Sequence, residues 1–174
     1  MIKVFPETVL IEMDSVLETI NGVKVISKTK RKNHKGKIIS GEGFDEGDHV
    51  LFFAKNGVIL EGKCLINRKD VVLILKKEGM KLLGNRILVE AEKSSSKLTD
   101  KLVASDAHIQ ILPIGIILAL GDKIDNDNLL KAYYNKERIM FDKDRATDLS
   151  IYELPDIKGR PVFMINESDV LSII

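Results

Sequence analysis

At 174 residues, with 27 basic side chains against 26 acidic ones, the chain can form one domain or two small ones, and units that small bury modest cores and gain from association. The near-cancelled charge gives no global attraction to nucleic acid or to acidic membranes, so a charged partner must be recognised locally. A single cysteine excludes an internal disulfide, no basic leader precedes a long apolar run, and no apolar run is long enough for a bilayer, which together point to a reducing cytoplasm.

The first strand expected in chain order is Val9-Leu10-Ile11. Residues 17–35 are long, polar and lysine-rich, with an aliphatic island at Val23, Val25 and Ile26; no sustained helical period runs through them, and they read as an excursion. Short strands follow at Lys37-Ile38-Ile39, at residues 49–53 and at Val58-Ile59-Leu60. Asn56-Gly57 between two apolar runs predicts a hairpin, because both turn positions tolerate positive φ. Lys63-Cys64-Leu65-Ile66 and residues 71–75 complete a first unit over residues 1–76, and the charged residues 77–81, with Gly79, read as a linker. The second unit, residues 82–174, begins with Ile87-Leu88-Val89-Glu90 and a polar loop starting at Lys93. Residues 109–120 are the most apolar stretch, which Pro113 and Gly115 are expected to divide into two strands. Residues 122–135 and 142–158 are insertions relative to the first unit. Many short strands, frequent turn glycines and little helical pattern predict an all-β fold of small barrels.

The two units share motifs in the same order. Asn67-Arg68-Lys69-Asp70-Val71-Val72-Leu73-Ile74-Leu75 and Asn166-Glu167-Ser168-Asp169-Val170-Leu171-Ser172-Ile173-Ile174 both read Asn-x-x-Asp-Val-aliphatic-x-Ile-aliphatic. Val9-Leu10-Ile11-Glu12 answers to Ile87-Leu88-Val89-Glu90, Gly36-Lys37-Ile38-Ile39 to Gly115-Ile116-Ile117-Leu118, and Gly47-Asp48-His49-Val50-Leu51-Phe52 to Lys136-Glu137-Arg138-Ile139-Met140-Phe141. The second copy gains about ten residues at each of two loops, as related domains with divergent loops do.

In this order and spacing the motifs resemble the ten-kilodalton co-chaperonin family, GroES and its mitochondrial and phage relatives. That family has an Arg-Val-Leu-Val-like first strand, a long loop with an aliphatic triplet, a Gly-x-aliphatic-aliphatic strand, a Gly-Asp-x-Val-x-Phe strand and a Glu-x-Asp-Ile-Leu-Ala-like closing strand. The resemblance covers nearly the whole chain and implies two tandem GroES-like irregular β-barrels, similar to the double-domain co-chaperonins of chloroplasts. It implies a ring-forming homo-oligomer that binds a large chaperonin ring and assists protein folding, in a bacterial cytoplasm or that of a phage-infected host. It implies no catalytic residues and no cofactor, since the family's ATP hydrolysis belongs to the large partner. The implied chaperonin-binding positions are Val23, Val25 and Ile26 in the first loop and Leu102, Val103 and Ala104 in the second. A roof hairpin is implied at residues 122–135, with Leu129, Leu130, Tyr133 and Tyr134; only residues 41–46 stand at the matching place in the first unit.

Other chemistry finds little footing in the sequence. His34, His49 and His108 are far apart, no Cys/His/Asp cluster has metal-ligand spacing, and no Gly-x-Gly-x-x-Gly follows a strand. Asp142, Asp144 and Asp148 lack the glycine and terminal glutamate of a calcium loop. The basic run holding Lys28, Lys30, Arg31, Lys32 and Lys35 reads as a solvated loop or as a dock for an acidic surface; no interleaved aromatics support base stacking, which argues against nucleic acid. An alternative to the lid is a structural or decoration subunit of a larger assembly such as a phage particle. Lys24 within the first island and the alanine ending the second favour that alternative.

Overall fold

The computed structural model describes residues 5–14, 17–20, 23–26, 33–54, 57–76, 79–94, 110–152 and 154–174. The chain divides into two compact units, Met1–Leu83 and Gly84–Ile174.

Unit 1 contains β1 (Thr8–Met13), β2 (Leu17–Ile20), β3 (Val23–Ile26), β4 (Asn33–Gly41), β5 (His49–Phe53), β6 (Val58–Leu60), β7 (Lys63–Asn67), β8 (Val71–Lys76) and β9 (Gly79–Leu82). Seven strands form one antiparallel sheet in the order β6-β7-β1-β4-β5-β8-β9, while β2 and β3 pair only with each other. Alternation along β1 and β7 sends Val9, Ile11, Cys64 and Ile66 into a core shared with Ile38, Val50, Phe52, Val71 and Ile74.

Unit 2 contains β10 (Arg86–Ser94), β11 (Gln110–Leu120), α1 (Asp127–Asn135), β12 (Arg138–Phe141), β13 (Thr147–Asp148), β14 (Val162–Asn166) and β15 (Val170–Ile173), in the sheet order β13-β14-β10-β11-β12-β15. Its core gathers Ile87, Val89, Ile117, Ile139, Phe141, Phe163 and Ile165 with Leu129 and Ala132 of the helix.

The six strands of unit 2 repeat the order of β6-β7-β1-β4-β5-β8, and the match extends to register. Ile11 faces Cys64 and Ile38, as Val89 faces Phe163 and Ile117. The first ladder shifts register between Leu10 and Ile11 in one unit and between Leu88 and Val89 in the other. The β5–β8 and β12–β15 ladders shift just before Phe52 and Phe141. Bulges bend a sheet at fixed positions, so the two sheets curl alike. Gly36 and Gly115 occupy one equivalent place, where the backbone passes too close for a side chain. A Cβ on Gly36 would lie 2.5 Å from the Glu12 carbonyl oxygen, and one on Gly115 would collide with that of Glu90.

Several expectations are corrected by this arrangement. Among the described residues neither sheet closes into a barrel: β6 pairs only with β7, β9 only with β8, β13 only with β14 and β15 only with β12. Short strands and turn glycines specify hairpins and curl, whereas closure needs matched shear between the terminal strands, which edges of two to four residues do not supply. The expected β content stands, with residues 127–135 adding one helix to unit 2. Asn56 lies outside the described residues, and among those described β5 and β6 do not pair, since β6 lies across the sheet from β5; a tight turn stands at Glu61-Gly62, both at positive φ, between the paired Leu60 and Lys63. Residues 109–120 are not split in two. Pro113 falls within β11 where the ladder skips from Ile111 to Gly115, so its missing N–H costs no pairing there. Half of the expected linker is β9, hydrogen-bonded along β8.

Candidate protein-docking elements

Each unit has a long connection in the sequence between its first strand and its glycine-bearing strand. In unit 1 the excursion between β1 and β4 contains the β2–β3 ribbon, in register from Leu17 opposite Ile26 to Ile20 opposite Val23. Val23, Val25 and Ile26 therefore sit on a strand. In unit 2 the matching excursion leaves β10 after Ser94 and returns at Gln110; Leu102, Val103 and Ala104 lie outside the described residues. So do Lys28, Lys30, Arg31 and Lys32 of the basic run. Lys35 is on β4 opposite Leu51, half-buried, and its carbonyl accepts the Asp14 amide at 3.0 Å.

The four roof positions share one helix instead of a hairpin. Asn126 Oδ1 accepts the amides of Asn128 and Leu129 at 3.1 and 3.4 Å, an N-cap that fixes the start of α1. Lys136, at φ 58°, ends it in the left-handed conformation. Leu129 is buried and Tyr133 packs against the core of unit 2. Leu130 is half-buried and Tyr134 exposed. The Tyr133 and Tyr134 rings lie 5.4 Å apart, and Lys136 Nζ stands 4.8 Å from the Tyr133 ring centre. The segment thus folds onto its own sheet, because Leu129, Ala132 and Tyr133 recur at helical spacing behind an asparagine cap. That pattern was readable in the sequence.

Charged side chains form local pairs. Arg160 donates through Nε and Nη2 to Glu90 at 2.8 and 2.5 Å, and this hydrogen bond holds the Glu90 carboxyl below the usual carboxylate range against its partial burial. Arg138 makes the same two-pronged contact with Glu92, at 2.6 and 2.8 Å. Both pairs flank a shallow groove that also includes Lys93 and Pro161. In unit 1 Lys76 donates to Asp45 at 2.8 Å, which lowers the Asp45 pKa and raises that of the lysine. Burial pushes the Cys64 thiol up. Among the described residues no group of three or more His, Cys, Asp or Glu side chains is placed to hold a metal ion, and no helix is long and apolar enough to cross a membrane.

The feature that sequence reasoning missed is a difference between equivalent sheet edges. In unit 1, β9 lies along β8, with Leu73 opposite Leu82 and Leu75 opposite Met80. The Leu83 amide donates to the Val72 carbonyl at 3.1 Å, and the Leu83 side chain packs on the unit 1 core. Val72, Leu73 and Leu82 are all buried. In unit 2, β15 takes the place of β8 and is the last strand of its sheet; Leu171, which matches Val72, is 63% exposed, and Ile174 is 54% exposed. The sequence carries a signal for this. Gly79-Met80-Lys81-Leu82-Leu83 stands before the second repeat as Met1-Ile2-Lys3-Val4-Phe5 stands before the first, but reading the charged residues as linker hid it.

Compared with protein-family models and with curated proteins, the chain matches none.

Proposed function

We propose that this protein is a co-chaperonin-like lid: it assembles with itself and docks on a large chaperonin ring in the cytoplasm, assisting folding without chemistry of its own. The observation that carries the reading is the repeated excursion. Two sheets with one strand order and matched register shifts each carry a long connection at the same topological point, between the first strand and the glycine-bearing strand. A chain that presents the same element twice suits a partner with repeated, equivalent grooves, since linked weak contacts raise one another's effective concentration. Docking segments that order on binding give tunable, reversible affinity. Val23, Val25 and Ile26, with Leu102, Val103 and Ala104, would carry the contact.

Helix α1 favours a second reading, a structural subunit of a larger assembly, because it packs onto its own core where a lid needs an element reaching outward. A pull-down with purified chaperonin ring and ATP, followed by a refolding assay, separates the two. The lid requires binding and replacement of the ring's normal partner, with loss of both in Val25→Asp and Leu102→Asp. A chain that neither binds nor substitutes for that partner is not a lid.

A further inference from the structure

We infer that the open edge strand of unit 1, β6, pairs with β6 of a second copy of this chain about a two-fold axis at Ile59. The pairing uses neither long connection, so it stands or falls apart from the proposed lid.

Equivalent edges of the two sheets are finished differently. Val58 stands opposite Leu65 and Ile59 opposite Cys64, as Thr147 stands opposite Met164 and Asp148 opposite Phe163. Unit 2 thus ends its sheet on a threonine and an aspartate, and the Asp148 carboxylate accepts the Ser150 amide at 2.8 Å. The segment joining β13 to β14 then holds Leu149, Tyr152, Leu154 and Ile157 buried. In unit 1 only Glu61-Gly62 joins β6 to β7, and Val58 and Ile59 are 68% and 54% exposed. Cross-strand partners share a face of the sheet, so Ile59 lies on the face of Cys64, which is fully buried in the unit 1 core. An isoleucine on the core face that stands half in water marks a core left uncovered at this edge. Charged residues and prolines keep natural edge strands from pairing, and residues 57–60 contain neither.

The backbone selects the occupant. Glu61 and Gly62, both at positive φ, form a two-residue turn, so Leu60 and Lys63 are the hydrogen-bonded pair and the next pair, Ile59 and Cys64, is not. Ile59 therefore points both its N–H and its C=O away from β7, to the side where no described strand lies. The Gly57 amide is already used, donating to the Ala54 carbonyl at 3.1 Å. A residue that offers one donor and one acceptor is its own complement: across an antiparallel two-fold axis the Ile59 amide of each copy donates to the Ile59 carbonyl of the other. That register sets Val58 opposite Leu60 and Gly57 opposite Glu61, so no like charges meet. A long extended peptide would gain no longer ladder here, since the turn ends the edge two residues beyond Ile59. The contact is isologous and closes at two copies.

Because Ile59 meets itself, opposite charges test the pairing. Ile59→Asp and Ile59→Lys each set like charges across the axis, at a position exposed enough to spare the fold, which circular dichroism checks. By sedimentation the unaltered chain is expected at twice the mass of either variant, and a one-to-one mixture of the two variants should return to the doubled mass. Equal mass for the unaltered chain and both variants overturns the inference, and so does a mixture that stays at the lower mass. Amide exchange on the unaltered chain fixes the register. The Ile59 amide should be protected in concentrated protein and lose that protection on dilution, and an unprotected Ile59 amide in an associated chain refutes the two-fold pair. Failure to bind a chaperonin would remove the lid and leave both readouts as they are, whereas loss of the doubled mass would remove this interface and leave chaperonin binding in place.

Discussion

Replacing Leu82 by alanine tests whether residues 79–83 belong structurally to unit 1. Leu82 is 2% exposed and stands opposite Leu73, which is fully buried. Burial of this kind makes a leucine-to-alanine change cost about 2–5 kcal/mol, and an edge strand, which can relax toward the gap, belongs at the lower end, about 2–3 kcal/mol. That is roughly a 30- to 150-fold fall in the folding equilibrium of the unit. With a urea dependence of about 1 kcal/mol/M for a unit this small, its midpoint should drop by about 2–3 M. The chain supplies its own assay. It has no tryptophan, and its three tyrosines, Tyr133, Tyr134 and Tyr152, all lie in unit 2. Tyrosine fluorescence therefore follows unit 2, while far-ultraviolet circular dichroism follows both units. At one fixed low protein concentration, so that association does not shift the curves, Leu82→Ala should move the dichroism transition and leave the tyrosine midpoint in place. An equal shift in both signals would refute the assignment of β9 to unit 1, and a change under about 0.5 kcal/mol would refute its burial.

Three further outcomes follow from local geometry. The Glu90 carboxyl is held below its ordinary range by Arg160, so the pair's contribution is fully present above the unfolded carboxylate value and is lost as pH falls through the folded one. Glu90→Gln should remove that acid dependence at a cost under about 1 kcal/mol near neutrality, because the pair is partly solvated; a carboxyl-carbon nuclear magnetic resonance titration of Glu90 that shows an ordinary midpoint would contradict this. Gly115→Ala drives a methyl into the Glu90 carbonyl and should destabilise unit 2 by about 1–3 kcal/mol in tyrosine-detected unfolding, and a neutral result would mean the β10–β11 backbones are not that close. Asn126→Ala removes the cap of α1 and should cost about 1 kcal/mol by the same measurement, whereas no change would indicate that the cap bonds form only weakly.

The repeated frame was legible because its strands are specified by patterns that survive divergence. Val9 and Ile87, Gly36 and Gly115, Phe52 and Phe141, and Val71 and Val170 were paired by motif, and each pair occupies one equivalent ladder position. Glycine at a close backbone approach and a phenylalanine beside a bulge are local requirements, so local sequence states them. Sheet closure is different, since it depends on how far two terminal strands reach each other, and nothing in β6 or β9 alone encodes that. Asn56-Gly57 misled because a turn-forming pair says nothing about which strand the chain meets next. Helix α1 is encoded by the spacing of Leu129, Ala132 and Tyr133 behind the Asn126 cap, a local helical period at odds with the roof hairpin that the resemblance implies at residues 122–135. Of the site residues, Val23, Val25 and Ile26 lie on a paired strand and the roof four on a helix, while positions 102–104 and most of the basic run fall outside the described residues.

A single exposed leucine on a protein surface carries no message, since much of any surface is apolar. Here the setting supplies one. Six large apolar side chains are exposed among the described residues, and three of them, Phe5, Leu171 and Ile174, fall at positions whose counterparts in the other repeat are packed, buried and half-buried respectively. Chance would scatter such residues over both units without regard to the repeat. The same closing motif therefore has two fates: where β9 lies on it, the aliphatic after Asp-Val is interior, and where no described strand does, that aliphatic meets solvent. A motif repeat reports what the two sheets have in common, while the exposure difference between equivalent positions reports where they diverge.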